Sequence, residues 1–466
     1  MEAKVKKLIF EFRNSKWNEK VESLNAKDNS IWQMTKSLLR VPSKFPPLHG
    51  LTGMKHSNQE KADTMADTLE NTFTPNDNPS NLDKIDEVEE AVYNLRYLDT
   101  PVEDIDLCSP SEVRGVIHNL KNNKAPGLDN LPNAMFKQLT RKSLVFLTKI
   151  FNSMLKLKYF PTIFKKSKII LFPKPGKDPM FPQNYRPISL LIAMSKIFEK
   201  LLLCRMQKHI DSENILANEQ FGFRSQHSTC HQLLRLTEKI TSGFNSNRVT
   251  AVVFLDIAQA FDRVWHDGLV HKLMLLKFPP YIIHIIQSYL TDRTFEVHLL
   301  NSISSTRPIK AGVPQGSILG PTLFNLYIND IPRSPNTELA LYADDTAIIA
   351  QSLRGKQACQ YLEEALSELE DWYEDWRIKV NVSKSNAVLF TRKKKTSRKK
   401  RVVYNETSPI ELFDEVIPWQ REAKYLGVTL DAKLNWNTHI RETAKKAKSR
   451  LGMLCPVLNN KSKLSI

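Results

Sequence analysis

Two adjacent acids, Asp344 and Asp345, stand in the tetrapeptide Tyr342-Ala343-Asp344-Asp345, between the apolar runs Leu339–Leu341 and Thr346–Ala350. Short apolar runs around a polar centre predict a β-hairpin with buried arms and both acids at its tip. Side chains alternate faces along a strand, so neighbouring acids converge on one point only at a turn. Crowded carboxylates repel one another unless a cation neutralises them, and oxygen ligands suit Mg²⁺ or Mn²⁺. Taken alone, an Asp-Asp pair is better read as an acidic surface turn. A third acid changes the balance. Asp256 closes the apolar run Val252-Val253-Phe254-Leu255, where a charge is costly without a cation or hydrogen bonds. By itself Asp256 reads equally well as a strand-end cap or ion-pair partner. Together the three acids suit a two-metal site for in-line phosphoryl or nucleotidyl transfer, with one ion on a 3′-hydroxyl and one on a triphosphate.

Several elements must position these acids. Thr250–Leu255 is the most β-like run and carries Asp256. Ser167–Pro173 predicts a second strand, leading into the loop Lys174–Asp178, and Phe295–Val297 a third. Helical spacing appears from Pro110 through Leu120, over 143–157, 267–277, 279–290 and 363–376. Lys379–Phe390 reads as a strand pair or strand-turn, and Gln315-Gly316 as a sharp turn entering an apolar helix over 318–328. Residues 1 to 90 read as loosely organised helices with Pro-rich linkers. Helices interleaved with few strands give an α/β or α+β chain.

Composition narrows the partners. At 466 residues the chain can bury a large core, and 41% hydrophobic residues is ordinary for a globular protein. The net charge of +17 suits a polyanion, with nucleic acid the commonest, and leaves membrane surfaces and tubulin open. No run reaches the ~18 apolar residues of a membrane span, so no membrane partner is expected. The N-terminus lacks a secretion signal, and five scattered cysteines suit a reducing, intracellular compartment.

The motifs form an ordered set. Phe254-Leu255-Asp256-Ile257-Ala258-Gln259-Ala260-Phe261-Asp262 resembles the first palm motif of reverse transcriptases. Ala311–Pro321 resembles the second, and Tyr-Ala-Asp-Asp the third. Asn184–Leu190 and Glu219–Arg224 are similar to fingers motifs of the non-LTR (LINE-type) retrotransposon enzymes, nearest to jockey-like elements. Lys124–Asp129 is similar to an extra fingers segment of that group. Their order and spacing cover roughly residues 105 to 440, a far more specific signature than any one motif.

The resemblance implies an α+β right-hand polymerase, with fingers, a palm with an antiparallel sheet, a partial helical thumb and a helical N-terminal extension. It divides the chain into residues 1–104 (extension or linker), 105–249 (fingers), 250–395 (palm) and 396–466 (primer grip and truncated thumb). The implied activity is RNA-directed DNA polymerisation with two Mg²⁺ ions, or Mn²⁺, using an RNA template, a DNA primer or target, and dNTPs. Asp256, Asp344 and Asp345 are the implied catalytic metal ligands, with the Ile257 carbonyl as a further contact and Asp345 ranked below the other two acids. Phe261 takes the place of a steric gate against a 2′-hydroxyl, and Gln315 and Gly316 lie against the nucleotide. Lys174 and Arg186 suit a triphosphate, although lone basic residues are more often solvated surface. Lys384 stands where the family has a proton donor to pyrophosphate. Tyr342, Tyr425, Leu426 and Gly427 match the primer grip. Asp262 and Asp330 read as structural, and Trp419 and Trp436 as thumb core.

Arg392–Arg401 holds eight basic residues in ten. It reads as a nuclear import signal or a nucleic-acid-tracking loop, and equally as a solvated insertion. The expected location is the nucleus, with a cytoplasmic ribonucleoprotein phase. The chain lacks the upstream endonuclease and the longer thumb expected from the resemblance, which predicts a truncated element. The alternative function is a remnant that binds nucleic acid without extending a primer. An RNA-templated RNA polymerase is disfavoured by Phe261 and by Ala343 standing where such enzymes have glycine.

Overall fold

The structure, a computed structural model, describes residues 2–458 apart from 26–27, 29, 33, 35–44, 52, 98–100, 102–103 and 393–406. It divides into two compact units, one of residues 46–427 and the other of 1–45 with 428–466. Most of the basic run at 392–401 therefore lies outside the described residues.

The larger unit is built on a five-stranded sheet. Its strands run in the order Trp419–Gln420, Asn386–Phe390, Val249–Asp256, Asp345–Ser352, Thr337–Tyr342. All neighbours are antiparallel except the first pair. Val249–Leu255 is buried along its whole length and only its last residue, Asp256, reaches solvent. That explains the unbroken apolar run: a central strand covered on both faces has no need of alternation. Each fully buried valine there contributes roughly 1.5–3 kcal/mol. The helix Gly355–Asp375 packs across this sheet through Leu362, Leu366, Leu369 and Tyr373. It begins eight residues earlier than its apolar spacing predicts. Between 379 and 390 there is one strand and a turn rather than a strand pair.

A second sheet joins Tyr185–Leu190, Lys166–Pro173 and Arg293–Leu299, with the short strands Ser302–Ile303 and Arg307–Ile309 added to the last. The pairing of Lys166–Pro173 with Arg293–Leu299 is parallel and spans more than a hundred residues of sequence. Residues 293–309, expected in the palm, thus complete the sheet of the expected fingers. Trp419, expected in thumb core, pairs with Ala387 at the edge of the central sheet, and its Nε1 donates to Ser408 O at 2.9 Å.

Residues 46–97 are not loosely organised. The helix Asn58–Thr72, opened by a capping box between Ser57 and Glu60, lies on the second sheet, where Arg307 pairs with Asp67 at 2.7 Å. The segment after it works as a strap. Phe73 O accepts from Lys310 N and Ala311 N at 2.9 Å each, and Thr74 O and Asn71 O accept from Arg263. Asn76 and Arg377 exchange hydrogen bonds of 2.6 and 2.8 Å. One short stretch therefore ties together the segments that carry Asp256, Gln315 and the end of the 355–375 helix.

In the smaller unit, the helix Asn437–Leu458 packs on the strand Val428–Asp431, and Asp431 Oδ2 accepts from Trp436 N at 2.8 Å. Among the described residues no helix is long and apolar enough to cross a membrane.

Candidate active site

Three acids meet at one end of the central sheet. Asp256 and Asp345 are direct partners in the antiparallel register, and Asp344 sits in the two-residue turn that joins the hairpin arms. The hairpin predicted from the apolar flanks is therefore present. Both hairpin acids are open to solvent, while Thr346–Ala350 behind them are buried. Surrounding protein nevertheless strips water from the carboxylates. Burial, followed by the charges of Asp344 and Asp256, pushes Asp345 up to about 6. Asp344 is also raised, by burial and then by Asp256, with Arg186 acting in the opposite direction. Mutual repulsion of this kind is relieved by a cation.

The donor set tests whether Mg²⁺ suits the site. Three all-oxygen side chains at a solvent-open strand end are the chemistry a hard divalent cation takes. Among the described residues no three acid, histidine or cysteine side chains stand close enough together to hold a metal ion by themselves. Mg²⁺ keeps waters and binds through one or two carboxylates plus substrate phosphates, so it needs fewer protein ligands than such a cluster supplies. Ile257 pairs with Val380 in a bridge whose hydrogen bonds come from the flanking residues, Ala258 N to Lys379 O and Asn381 N to Asp256 O. The bridge thus leaves the Ile257 carbonyl unused.

Cations converge on the same place. Lys384 Nζ lies 3.5 Å from Asp256 Oδ2. Lys174 is shifted down by burial and then by the like charges of Lys384 and Arg186, so it lies within the fields of both. Lys174 is also tied to its own loop through Gln183 O at 2.8 Å. A lysine lowered by burial and then by neighbouring positive charge is the counterpart of the crowded acids, and a polyphosphate would offset that charge.

The floor between the two sets is made by the Ala311–Pro321 segment. Gly312 takes a φ of 92°, and a Cβ there would meet Asp262 O at 2.5 Å, so only glycine fits under the 261–264 turn. Gln315 Nε2 donates to both carboxylate oxygens of Asp262, at 2.9 and 3.0 Å, and Gln315 O accepts from Ser189 N at 2.9 Å. Asp262, read as structural, is buried and holds the side chain of a nucleotide-site candidate. Its carboxyl is pushed up to about 7 by burial, against the hydrogen bond from Gln315. Asp330, also read as structural, pairs with the buried Lys272 at 2.6 Å.

Phe261 stacks on Phe324, ring centroids 4.4 Å apart, and meets the edge of Phe223 at 6.0 Å. Tyr342 is half-buried opposite Asp345. Tyr425, matched to the primer grip, turns its side chain into the protein. It is buried, its hydroxyl donates to Ala340 O at 3.1 Å, and its ring lies against Phe254. It anchors the following turn, in which Leu426 and Gly427 both have positive φ.

Two residues of the site escape the sequence reading. Glu199 is fully buried, and its Oε2 accepts from Ile318 N and Leu319 N at 2.8 and 3.4 Å, just ahead of the helix Gly320–Tyr327. An acid inside Ile197-Phe198-Glu199-Lys200-Leu201-Leu202 was the available signal. Phe223 is 58% exposed with a φ of 55°, an unusual conformation for an aromatic residue beside the gate position.

A family model described as reverse transcriptase (RNA-dependent DNA polymerase) matches residues 172–430. The probable RNA-directed DNA polymerase from transposon BS of Drosophila melanogaster is 35% identical, over 99% of this chain and 51% of its own length. The corresponding protein from transposon X-element of that species is 34% identical over 94% of this chain and 47% of its own. The RNA-directed DNA polymerase from its mobile element jockey is 35% identical over the same shares, 94% and 47%. The chain spans about half the length of these relatives.

Proposed function

We propose that this chain, which belongs to the reverse transcriptase family of non-LTR retrotransposons and shares its right-hand polymerase fold, extends a DNA primer on an RNA template. The observation that carries the proposal is the register that sets Asp256 opposite Asp345, with Asp344 in the adjoining turn. The primer 3′-oxygen attacks the α-phosphorus of a dNTP, a new phosphodiester forms, and the bond to pyrophosphate breaks. When bound at Asp256, Asp344 and Asp345, with the Ile257 carbonyl beside them, Mg²⁺ ions would ease ionisation of the 3′-hydroxyl and neutralise the triphosphate.

The chain's own groups do the rest. Arg186 offers a planar fork and Lys174 a point charge to the triphosphate oxygens. Lys384, 3.5 Å from Asp256, would supply a proton to departing pyrophosphate. Phe261, braced by Phe324, stands under the sugar and excludes a 2′-hydroxyl. The Gln315-Gly316 turn bounds the nucleotide, and the Leu426-Gly427 turn meets the primer. Partners are then an RNA template, a DNA primer or target and dNTPs, consistent with the +17 charge. A nuclear site of action follows from the DNA target.

The test is primer extension on an RNA template with purified protein. Mg²⁺-dependent dNTP incorporation that disappears in Asp344→Asn supports the reading. Activity untouched by that substitution overturns the metal assignment. Salt-sensitive nucleic-acid binding with no incorporation leaves a binding protein instead.

A further inference from the structure

We infer that Gln220 is a positioning residue that sets the turn carrying Asp344, an inference that rests on the polymerase reading of that acid. Gln220 comes from a different part of the chain and is 2% exposed. Its Oε1 accepts from Gly222 N at 2.7 Å and from Ala343 N at 3.0 Å. Both partners are N–H donors, so the amide must present its oxygen to them and its orientation is unambiguous.

Ala343 immediately precedes Asp344 and holds a φ of 56°, the left-handed region that a residue with a Cβ resists. The strand ladder cannot hold it there, because pairing stops at Tyr342 and Asp345. Gln220 takes up the Ala343 N–H instead. Its own segment is fastened to the hairpin arm by Phe221 N to Leu341 O at 2.9 Å and Leu341 N to Glu219 O at 3.1 Å. Gly222 packs so closely that a Cβ would come 2.2 Å from Ala343 N, and Asn325 Nδ2 holds Gly222 O at 2.8 Å.

The arrangement is not optimised for stability. Gln220 Nε2 is buried with no acceptor among the described residues, and such a group is destabilising. An apolar side chain of the same size would fill the space without that cost. It could not hold the Ala343 N–H, and rotation of the Tyr342–Ala343 peptide that carries this N–H would swing the Asp344 carboxylate away from Asp256.

Hydrogen exchange of the full chain, with Mn²⁺ binding followed by electron paramagnetic resonance, tests this. In Gln220→Met, exchange across 340–346 is expected to quicken about tenfold while 249–256 is unchanged. Mn²⁺ affinity and kcat are expected to fall about tenfold each, with the dNTP KM within about twofold of wild type. Gln220→Glu keeps an acceptor oxygen and is expected to restore protection at Ala343. If Gln220→Met does not fold, Gln220→Asn, too short to reach Ala343, takes its place. Wild-type exchange in the shortened or apolar variant, or equal loss of protection in Gln220→Glu, overturns the inference. Exchange is read without turnover. A wild-type protein that incorporates no dNTP therefore sinks the polymerase reading, while the clamp is judged separately.

Discussion

Asp345 faces Asp256 across the two central strands of the sheet, one residue from the turn acid Asp344. Burial, added to repulsion from Asp344 and then Asp256, pushes Asp345 up to about 6, above its unfolded value of 3.8. A raised carboxylate of this kind destabilises the metal-free fold above pH 6, and that cost is gone below about pH 4. Asp345→Asn removes the cost. In chelator at pH 8 the variant is expected to be more stable by about 1 kcal/mol, a figure reduced for the solvent exposure of the side chain. Denaturant melts of both proteins at pH 8 and pH 4 check this, and the difference should shrink at the lower pH. Primer extension by the same variant should fall at least about tenfold.

Asp262 gives a second and deeper case. Its pKa of about 7 in the fold means that stability is lost as pH rises from about 4 through 7. Asp262→Asn should flatten that loss, by as much as about 4 kcal/mol at pH 8 if no relaxation occurs. It also replaces a two-oxygen acceptor of Gln315 with a single oxygen. The dNTP KM should therefore rise while the protein becomes more stable at alkaline pH. Urea midpoints across pH 5–8, beside steady-state kinetics, separate the two effects.

The acids were legible because each lies against apolar sequence, at Leu255 before Asp256 and on both sides of Asp344-Asp345. Most helices were legible for a related reason, since their buried faces repeat at helical spacing. Pairing at long range leaves no such trace. Lys166–Pro173 beside Arg293–Leu299 is a parallel match between segments that carry no local sign of each other. The strap at 71–77 was hidden because it works largely through backbone carbonyls such as Phe73 O and Thr74 O, which any sequence supplies. Tyr425 shows the same limit. Its motif located the turn, but only packing against Phe254 revealed that its ring faces inward.

Phe261 and Phe223 make a graded test of nucleotide choice. Phe261→Val removes the ring from beneath the sugar, and discrimination against rNTPs should fall about 10–100-fold. Lost stacking on Phe324 should also cost about 1–3 kcal/mol of stability. Phe223→Ala, at a largely exposed position, should leave stability within about 0.5 kcal/mol. Its effect on discrimination should be smaller than that of Phe261→Val, because it touches only the edge of the gate ring. Unchanged dNTP-to-rNTP ratios in Phe261→Val would remove the gate assignment.

His266 links acid stability to the floor of the site. Its Nε2 donates to Gly312 O at 2.9 Å, so the neutral ring must carry its proton on that nitrogen. Burial pushes its pKa from the ordinary 6.5 down to about 4. The unfolded chain therefore takes up a proton below pH 6.5 that the folded chain refuses until about pH 4. Stability from this group is fully present above 6.5 and declines as pH falls through that window, by no more than about 1.4 kcal/mol per pH unit. His266→Gln keeps a donor for Gly312 O and cannot titrate. Its urea midpoint should fall less steeply than wild type between pH 6.5 and 4.5, with the two curves parallel above pH 7. Identical slopes throughout would show that the ring titrates as freely in the fold as in the unfolded chain.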